Sequence, residues 1–222
     1  KARLEARQVE ADRQRGRTPD DGRKGGGTKP FARDFGVPAD DAQDSCTDPE
    51  SRIMKASYGC DQCYNGQLAV DEGSQLIVAT GLTNCAADNG QLVPLIDQIQ
   101  GTFGQAPTAV LADNGYNGEA GFQTLETRGI TAFISLGHEA RAAKPPNPAH
   151  LATQRMAERL ASAAGRARYR RRKAIVEPVI GWIKHVLGFR RFSVRGETKA
   201  RGEWNLVCLA ANLKRLCRLR PA

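Results

Sequence analysis

A chain of 222 residues with 40% hydrophobic content can bury a sizeable core, which excludes a wholly disordered protein. Its mean hydropathy is −0.49, no apolar run reaches the ~18–20 residues of a membrane helix, and no signal-peptide pattern opens it. A soluble, cytoplasmic protein is expected, with its six irregularly spaced cysteines as reduced thiols. The net charge of +9 divides into about +5 for residues 1–33, −9 for 34–165 and +13 for 166–222. Basic arms around an acidic centre suit a polyanion held by the arms and metal or acid–base chemistry in the middle.

Lys1 to Gly16 is in helical stride from its first residue, without an N-cap, which suggests a piece of a longer chain. RTPDDGRKGGGTKP follows and reads as a linker, so little order is expected from about Gly16 to Cys46. Tyr64–Val70 and Gln75–Leu82 have strand character and form an expected hairpin around residues 71–74. Asp88–Gln100 places Leu92, Leu95, Ile96 and Ile99 at helical spacing, with Asp88 able to cap the start. Thr108–Ala112 is a short buried-type strand, Gly118–Arg128 a helix and Ile130–Leu136 another strand. That order predicts an α/β fold with one mixed sheet covered by helices.

Gly137–Ala149 reads as a loop. Two helices are then expected, His150–Ala163 and Arg166–Leu187, broken at Ala164-Gly165. In the last helix, about Thr198–Leu219, Leu206, Leu209, Leu213 and Leu216 form one stripe near Trp204, which is expected to be core.

Asp113 follows an apolar strand, at the end of a sheet where ligands bind, although Asp-Asn-Gly also suits a plain turn. Glu177 is one of three acids after Arg166. On a continuous helix it shares a face with Lys173 and Lys184, and the group reads as a metal-binding carboxylate beside phosphate-binding lysines or as ordinary i,i+4 ion pairing. Pro178 predicts a kink or a fresh helix start there. Phe189 and Phe192, interleaved with Arg190 and Arg191, suit either base stacking or capping of the preceding helix. Cys60 and Cys63 form a CxxC, but Cys46 and Cys85 are poorly spaced to complete a zinc site, the three histidines suggest no triad, and there is no phosphate-binding GxxxxGK[ST] loop.

TDPESRIMK (Thr47–Lys55), CYNGQLAVD (Cys63–Asp71), LADNGY (Leu111–Tyr116), the Tyr169, Arg172, Glu177, Lys184 cluster, GFRRF and RGEWNLVCLAANL together resemble the DDE transposases of bacterial insertion sequences, in the branch with a Tyr-Arg-Glu-Lys signature. The resemblance spans nearly the whole chain. It implies a ribonuclease H-like fold and three acids binding two divalent ions, Mg2+ or Mn2+. It also implies cleavage of transposon ends with strand transfer into target DNA, a homodimer, and a location with the bacterial nucleoid. Asp113 matches the second acid and Glu177 the third, both catalytic and metal-binding. Tyr169, Arg172 or its neighbour Lys173, Lys184, Arg190 and Arg191 are the DNA-binding candidates. The first acid has no matching context, Asp71 and Asp48 being the residues that could replace it. The resemblance therefore implies residues 1–46 as basic helix and linker and 47–222 as a catalytic-core portion lacking its first strand and first Asp, its activity alone left open. The competing reading is a non-catalytic DNA-binding remnant, and a junction-resolvase-type nuclease fits less well.

Overall fold

The computed structural model describes residues 1–14, 17–21, 31, 33–56, 59–137 and 147–219, and they divide into two units, Lys1–Pro49 and Glu50–Ala222. In the first, helix α1 (Ala2–Gln14) is followed by a 3-10 turn at Pro19–Asp21. Asp12 is buried, where its carboxylate accepts from the Gly36 amide at 3.0 Å and meets the Arg17 guanidinium at 3.4 Å. Arg7 pairs with Asp44. Among the described residues between Gly16 and Cys46 the 3-10 turn at Pro19–Asp21 is the only helix or strand, and Asp12 and Arg7 tie Gly36 and Asp44 to α1. The Gly-rich stretch 22–30 lies outside the described residues.

The second unit opens with strands β1 (Arg52–Ala56) and β2 (Gly59–Cys63), an antiparallel pair not expected from the sequence. The expected hairpin follows as β3 (Asn65–Val70) and β4 (Ile77–Thr83), antiparallel, with Asp71 in the connecting turn accepting from Ser74. Helix α2 (Leu92–Phe103) buries Leu92, Leu95 and Ile96 and ends at Gly104 in the left-handed conformation with φ 73°. Strand β5 (Ala109–Ala112) runs parallel to β6 (Thr131–Ile134), and helix α3 (Glu119–Thr127) makes the crossover.

The expected single sheet does not form among the described residues. There are three separate two-stranded sheets, β1–β2, β3–β4 and β5–β6. Among the described residues neither β3 nor β5 has a strand partner on its second side, and both line one cavity of ≈ 810 Å³.

Helices α4 (Leu151–Ala161) and α5 (Ala163–Gly181) meet at Ser162 rather than at Ala164-Gly165. Ser162 Oγ caps α5 by accepting from the Gly165 amide at 2.9 Å. Pro178 neither ends nor restarts α5, which continues to Gly181 and then widens into a π-turn at Trp182–Val186. Helix α6 (Glu197–Leu219) completes the unit.

The expected core stripe of α6 is overturned. Leu206, Leu209, Leu213 and Leu216 are exposed, and the buried face is Ala200, Trp204, Val207, Cys208 and Ala211. Small residues let the helix approach β4 closely: the Asn212 amide brackets the Ile77 backbone with bonds of 2.7 and 2.8 Å, and Trp204 Nε1 donates to the Gln67 carbonyl at 3.0 Å. Burial pushes the Cys208 thiol up to about 12.

A second core cluster joins α2, α3, β5, β6 and α4 around Phe122, Ile134 and Met156. Glu119 ties α3 to α4, accepting from the Ala152 and Thr153 amides and the Thr153 hydroxyl, so it satisfies donors that the start of α4 would otherwise leave open. Burial works against its charge, but those hydrogen bonds prevail and hold the carboxyl at about 2. A depressed folded-state value contributes stability above the ordinary carboxyl value that is lost as pH falls towards 2. Glu119→Gln is therefore expected to lose less melting temperature than the parent between about pH 5 and pH 2; equal losses would remove Glu119 from the acid response.

Candidate active site

β5 delivers Asp113 to one end of the cavity between β3 and β5. Asp113 leaves the strand in extended conformation and its Oδ1 accepts from the Gly115 amide at 2.9 Å. It is therefore a turn-forming residue as well as a cleft residue, and the two readings of Asp-Asn-Gly are compatible. From the facing helix α5, Arg172 Nη1 lies 4.0 Å from Asp113 Oδ2, and the Arg172 guanidinium sits 5.5 Å from the centroid of the Tyr169 ring. Arg172, not the exposed Lys173, is thus the α5 cation next to Asp113. Glu177, also exposed, lines the same cavity.

The helix that carries Lys173 and Glu177 continues into the π-turn closed by the Leu187 amide bonding to the Trp182 carbonyl, and Lys184 lies within that turn. Lys184, Arg190 and Arg191 are exposed, and Arg190 Nη2 bonds His185 Nδ1 at 3.2 Å. Much of the basic run on α5 has internal partners: Arg168 grips Glu72 with bonds of 2.7 and 2.6 Å and Arg171 meets it at 2.9 Å. The hydrogen bond from Arg168 is the main reason that the Glu72 carboxyl is held low. Phe189 and Phe192 are not a stacking platform. They pack edge-on to one another, Phe192 edge-on to Tyr64 and Phe189 against Trp204, as part of the α6 core.

Asp88, expected as a helix cap, is the carboxylate that the sequence reading misplaced. Helix α2 starts after Gln91 with no side-chain cap, and Asp88 Oδ1 instead accepts from Asn65 Nδ2 and Gln67 Nε2, each at 2.7 Å. Gln67 is 3% exposed, and its Oε1 accepts from the Tyr116 hydroxyl. Burial raises the Tyr116 phenol well above its usual range, and the charges of Asp88 and Asp113 push the same way. The two acids flank Gly115: a Cβ there would fall 2.3 Å from Asp88 Oδ2 and 3.1 Å from Asp113 Oδ1, while one at Gly118 would fall 2.8 Å from Asn89 Oδ1. The signal was present in the sequence, since Ala-Asp-Asn-Gly occurs twice, at 87–90 and 112–115, and the two turns lie against one another.

Gly115→Ala is therefore expected to destabilise the protein by about 1–3 kcal/mol, as overpacking does when the neighbour is a fixed polar group. Denaturant unfolding measures it, with Gly101→Ala as the control because a Cβ there meets nothing within 4 Å; equal midpoints would mean that the two turns are not closely apposed.

Asp71 lines the cavity but is engaged by the Ser74 amide and hydroxyl, which hold its carboxyl below its ordinary value. Asp48 belongs to the first unit, where its amide donates to Ser45 Oγ. Among the described residues no group of three or more His, Cys, Asp or Glu could hold a metal ion, so the CxxC of Cys60 and Cys63 gains no zinc partners and the acids brought to the cavity do not by themselves make a complete site for a divalent ion. His138 lies outside the described residues.

The family model described as Transposase DDE domain matches residues 137–217. That span is less than half of the chain; it carries Tyr169, Arg172, Glu177 and Lys184, and Asp113 lies ahead of it. The match supports a transposase and, with it, DNA as partner. No curated protein and no solved structure matches the chain. Among the described residues no helix is long and apolar enough to cross a membrane.

Proposed function

We propose that the chain is the carboxyl-terminal portion of the catalytic core of a DDE transposase from a bacterial insertion sequence, of the branch with a Tyr-Arg-Glu-Lys signature. Its chemistry is phosphoryl transfer on DNA, freeing transposon ends and joining them to target DNA, carried out by a homodimer associated with the nucleoid. Residues 1–46 serve as a basic arm and 47–222 as the core portion. The observation that carries this reading is the cavity between β3 and β5, with Asp113 from the strand and Glu177 from α5 on its walls. A further strand placed there would join two small sheets into the mixed sheet of a ribonuclease H-like fold, and it could supply the missing acid beside Asp113.

Mg2+ or Mn2+, held by Asp113, Glu177 and that further acid, would neutralise charge on the phosphate and activate the attacking oxygen. Within this chain, Arg172 orients Asp113, Tyr169 supports Arg172, and Lys184, Lys173, Arg190 and Arg191 hold DNA phosphates. The carboxylates present are too few to clamp the attacking and leaving oxygens together, so residues 1–222 alone are expected to bind DNA without cutting it.

The test compares the chain with Asp113→Ala and Glu177→Ala for Mn2+ binding by calorimetry and for nicking of supercoiled plasmid. The expected result is DNA binding without nicking, and Mn2+ binding weakened by about tenfold or more in each variant. Unchanged Mn2+ binding in Asp113→Ala would favour the non-catalytic remnant. Nicking by the parent that both variants lose would overturn the missing-acid assignment and promote Asp71, Asp48 or Asp88 to the third acid.

A further inference from the structure

The core-facing side of α6 changes character along its length. Trp204, Val207, Cys208 and Ala211 are buried on it, and three, four and seven residues past Ala211 the same side carries Lys214, Arg215 and Arg218. These three cations line a small cavity of ≈ 110 Å³ together with Pro178 and Trp182 from the end of α5 and its π-turn and Gln75 from the β3–β4 turn. Among the described residues no carboxylate lines it, since Asp71, Glu72 and Glu177 line the larger cavity instead. The two cavities share Asn212, whose amide is taken by the Ile77 backbone.

Three like charges gathered at one cavity repel one another, which a fold tolerates at little cost when an anion comes between them. The dipole of α6 favours a cation in its last turn, which accounts for Arg218 but not for Lys214 or Arg215. Arg215 is fixed in place, its Nε donating to the Ser74 carbonyl at 2.6 Å, whereas Lys214 and Arg218 are exposed and make no hydrogen bond or ion pair among the described residues. Gln75 is held at φ 57°, in the left-handed region that a non-glycine residue rarely adopts. Its Nε2 donates to the Ala174 carbonyl at 3.2 Å, so the turn is tied to α5 by Gln75 and to α6 by Ser74. Backbone strain fixed from two sides in this way is a feature of ligand clamps.

Size selects the kind of anion. The cavity is well below the ~300–1,000 Å³ of sites that enclose a whole small molecule, so it suits one oxyanion group belonging to a longer chain. Guanidinium and ammonium donors together suit a phosphate. We propose that this cavity seats one backbone phosphate of a nucleic acid, held by Lys214 and Arg218 beside the fixed Arg215, as a contact separate from those of α5. The proposal rests on DNA as the partner and adds a place on α6 where that partner is held.

Trp182 lines the cavity and the chain's second tryptophan, Trp204, is buried, so the difference in emission between the parent and Trp182→Phe reads occupancy. Titration with duplex DNA is expected to change that emission in the parent and not in Lys214→Ala with Arg218→Ala. The paired variant should also lower the slope of log K against log salt by about 0.9, one phosphate, so that the parent loses roughly 3.5-fold more affinity than the variant between 50 and 200 mM salt. Its melting temperature should be unchanged, because both side chains are exposed. If the parent binds duplex and the pair leaves slope and emission unaltered, the proposal falls while DNA stands as the partner; if the parent binds no duplex, both fall. A slope that drops without a response at Trp182 would place the two cations on open surface and overturn the cavity as the seat. Emission that answers to inorganic phosphate but not to duplex would make a free anion the ligand and overturn the backbone assignment.

Discussion

Trp204→Ala is expected to lower stability by about 3–5 kcal/mol, the cost of emptying a large buried aromatic site. For a chain of this length that corresponds to a fall of roughly 10 °C or more in melting temperature. The ring lies over β3 at Gly66, where even a Cβ would be 3.3 Å from Trp204 Cε2, and its other side meets Phe189. Its Nε1 donates to the carbonyl of Gln67, whose side chain holds Asp88 and Tyr116. The loss should therefore reach the candidate site as well as the core. Trp204→Phe keeps most of the apolar volume and removes the donor, so it should cost more nearly the ~1 kcal/mol of one hydrogen bond plus modest repacking. Differential scanning calorimetry separates the two variants; a loss under about 1 kcal/mol for Trp204→Ala would mean that α6 does not dock on β3 through this ring.

The contrast between Trp204 and the leucines marks how far the sequence could be read. An apolar stripe at helical spacing suggests a core face, but on α6 the face packed against β4 is a different one. On α6 the leucines look more like core than Ala200, Cys208 and Ala211 do. Yet the small residues allow a close approach to β4, where Asn212 and Asn205 also meet strand polar groups. The β3–β4 hairpin, α2, α3 and the strand before Asp113 were legible because each combines its own apolar period with Gly, Asp or Asn at its ends. The division of the described strands into three separate pairs was not, since pairing is long-range and no local pattern states whether a strand lies beside β3 or β5.

The site shows the same division. Asp113 and Glu177 could be named because one ends an apolar strand and the other is an isolated acid among bases. Asp88 was assigned to a helix cap, the local use of an Asp at that position, and tertiary amides from Asn65 and Gln67 claim it instead. Arg172 could be separated from Lys173 only once α5 was set against β5, because neighbouring residues on a helix point about 100° apart. The π-turn that carries Lys184 is not announced by the sequence.

If the proposed DNA contact is right, its salt dependence is the second large effect. Phosphate binding releases counterions, so log K falls by about 0.9 per contacted phosphate for each tenfold rise in salt. Arg170, Lys173, Lys184, Arg190 and Arg191 are exposed on α5 and the segment after it. Five contacts would give a slope near −4.5 and a loss of roughly 500-fold in affinity between 50 and 200 mM salt. The commitment of Arg168 and Arg171 to Glu72 makes this more specific than a statement about net charge. Lys184→Ala should reduce the slope by about one unit while leaving stability within about 0.5 kcal/mol. Arg168→Ala, whose guanidinium is committed to Glu72, should change the slope little and lower the melting temperature instead, because it loosens α5 from the turn after β3. Titration of labelled duplex at four salt concentrations measures both. A shallow slope in the parent would remove DNA phosphate from the α5 surface, and an Arg168→Ala slope that falls as far as that of Lys184→Ala would mean that DNA competes with Glu72 for the guanidinium.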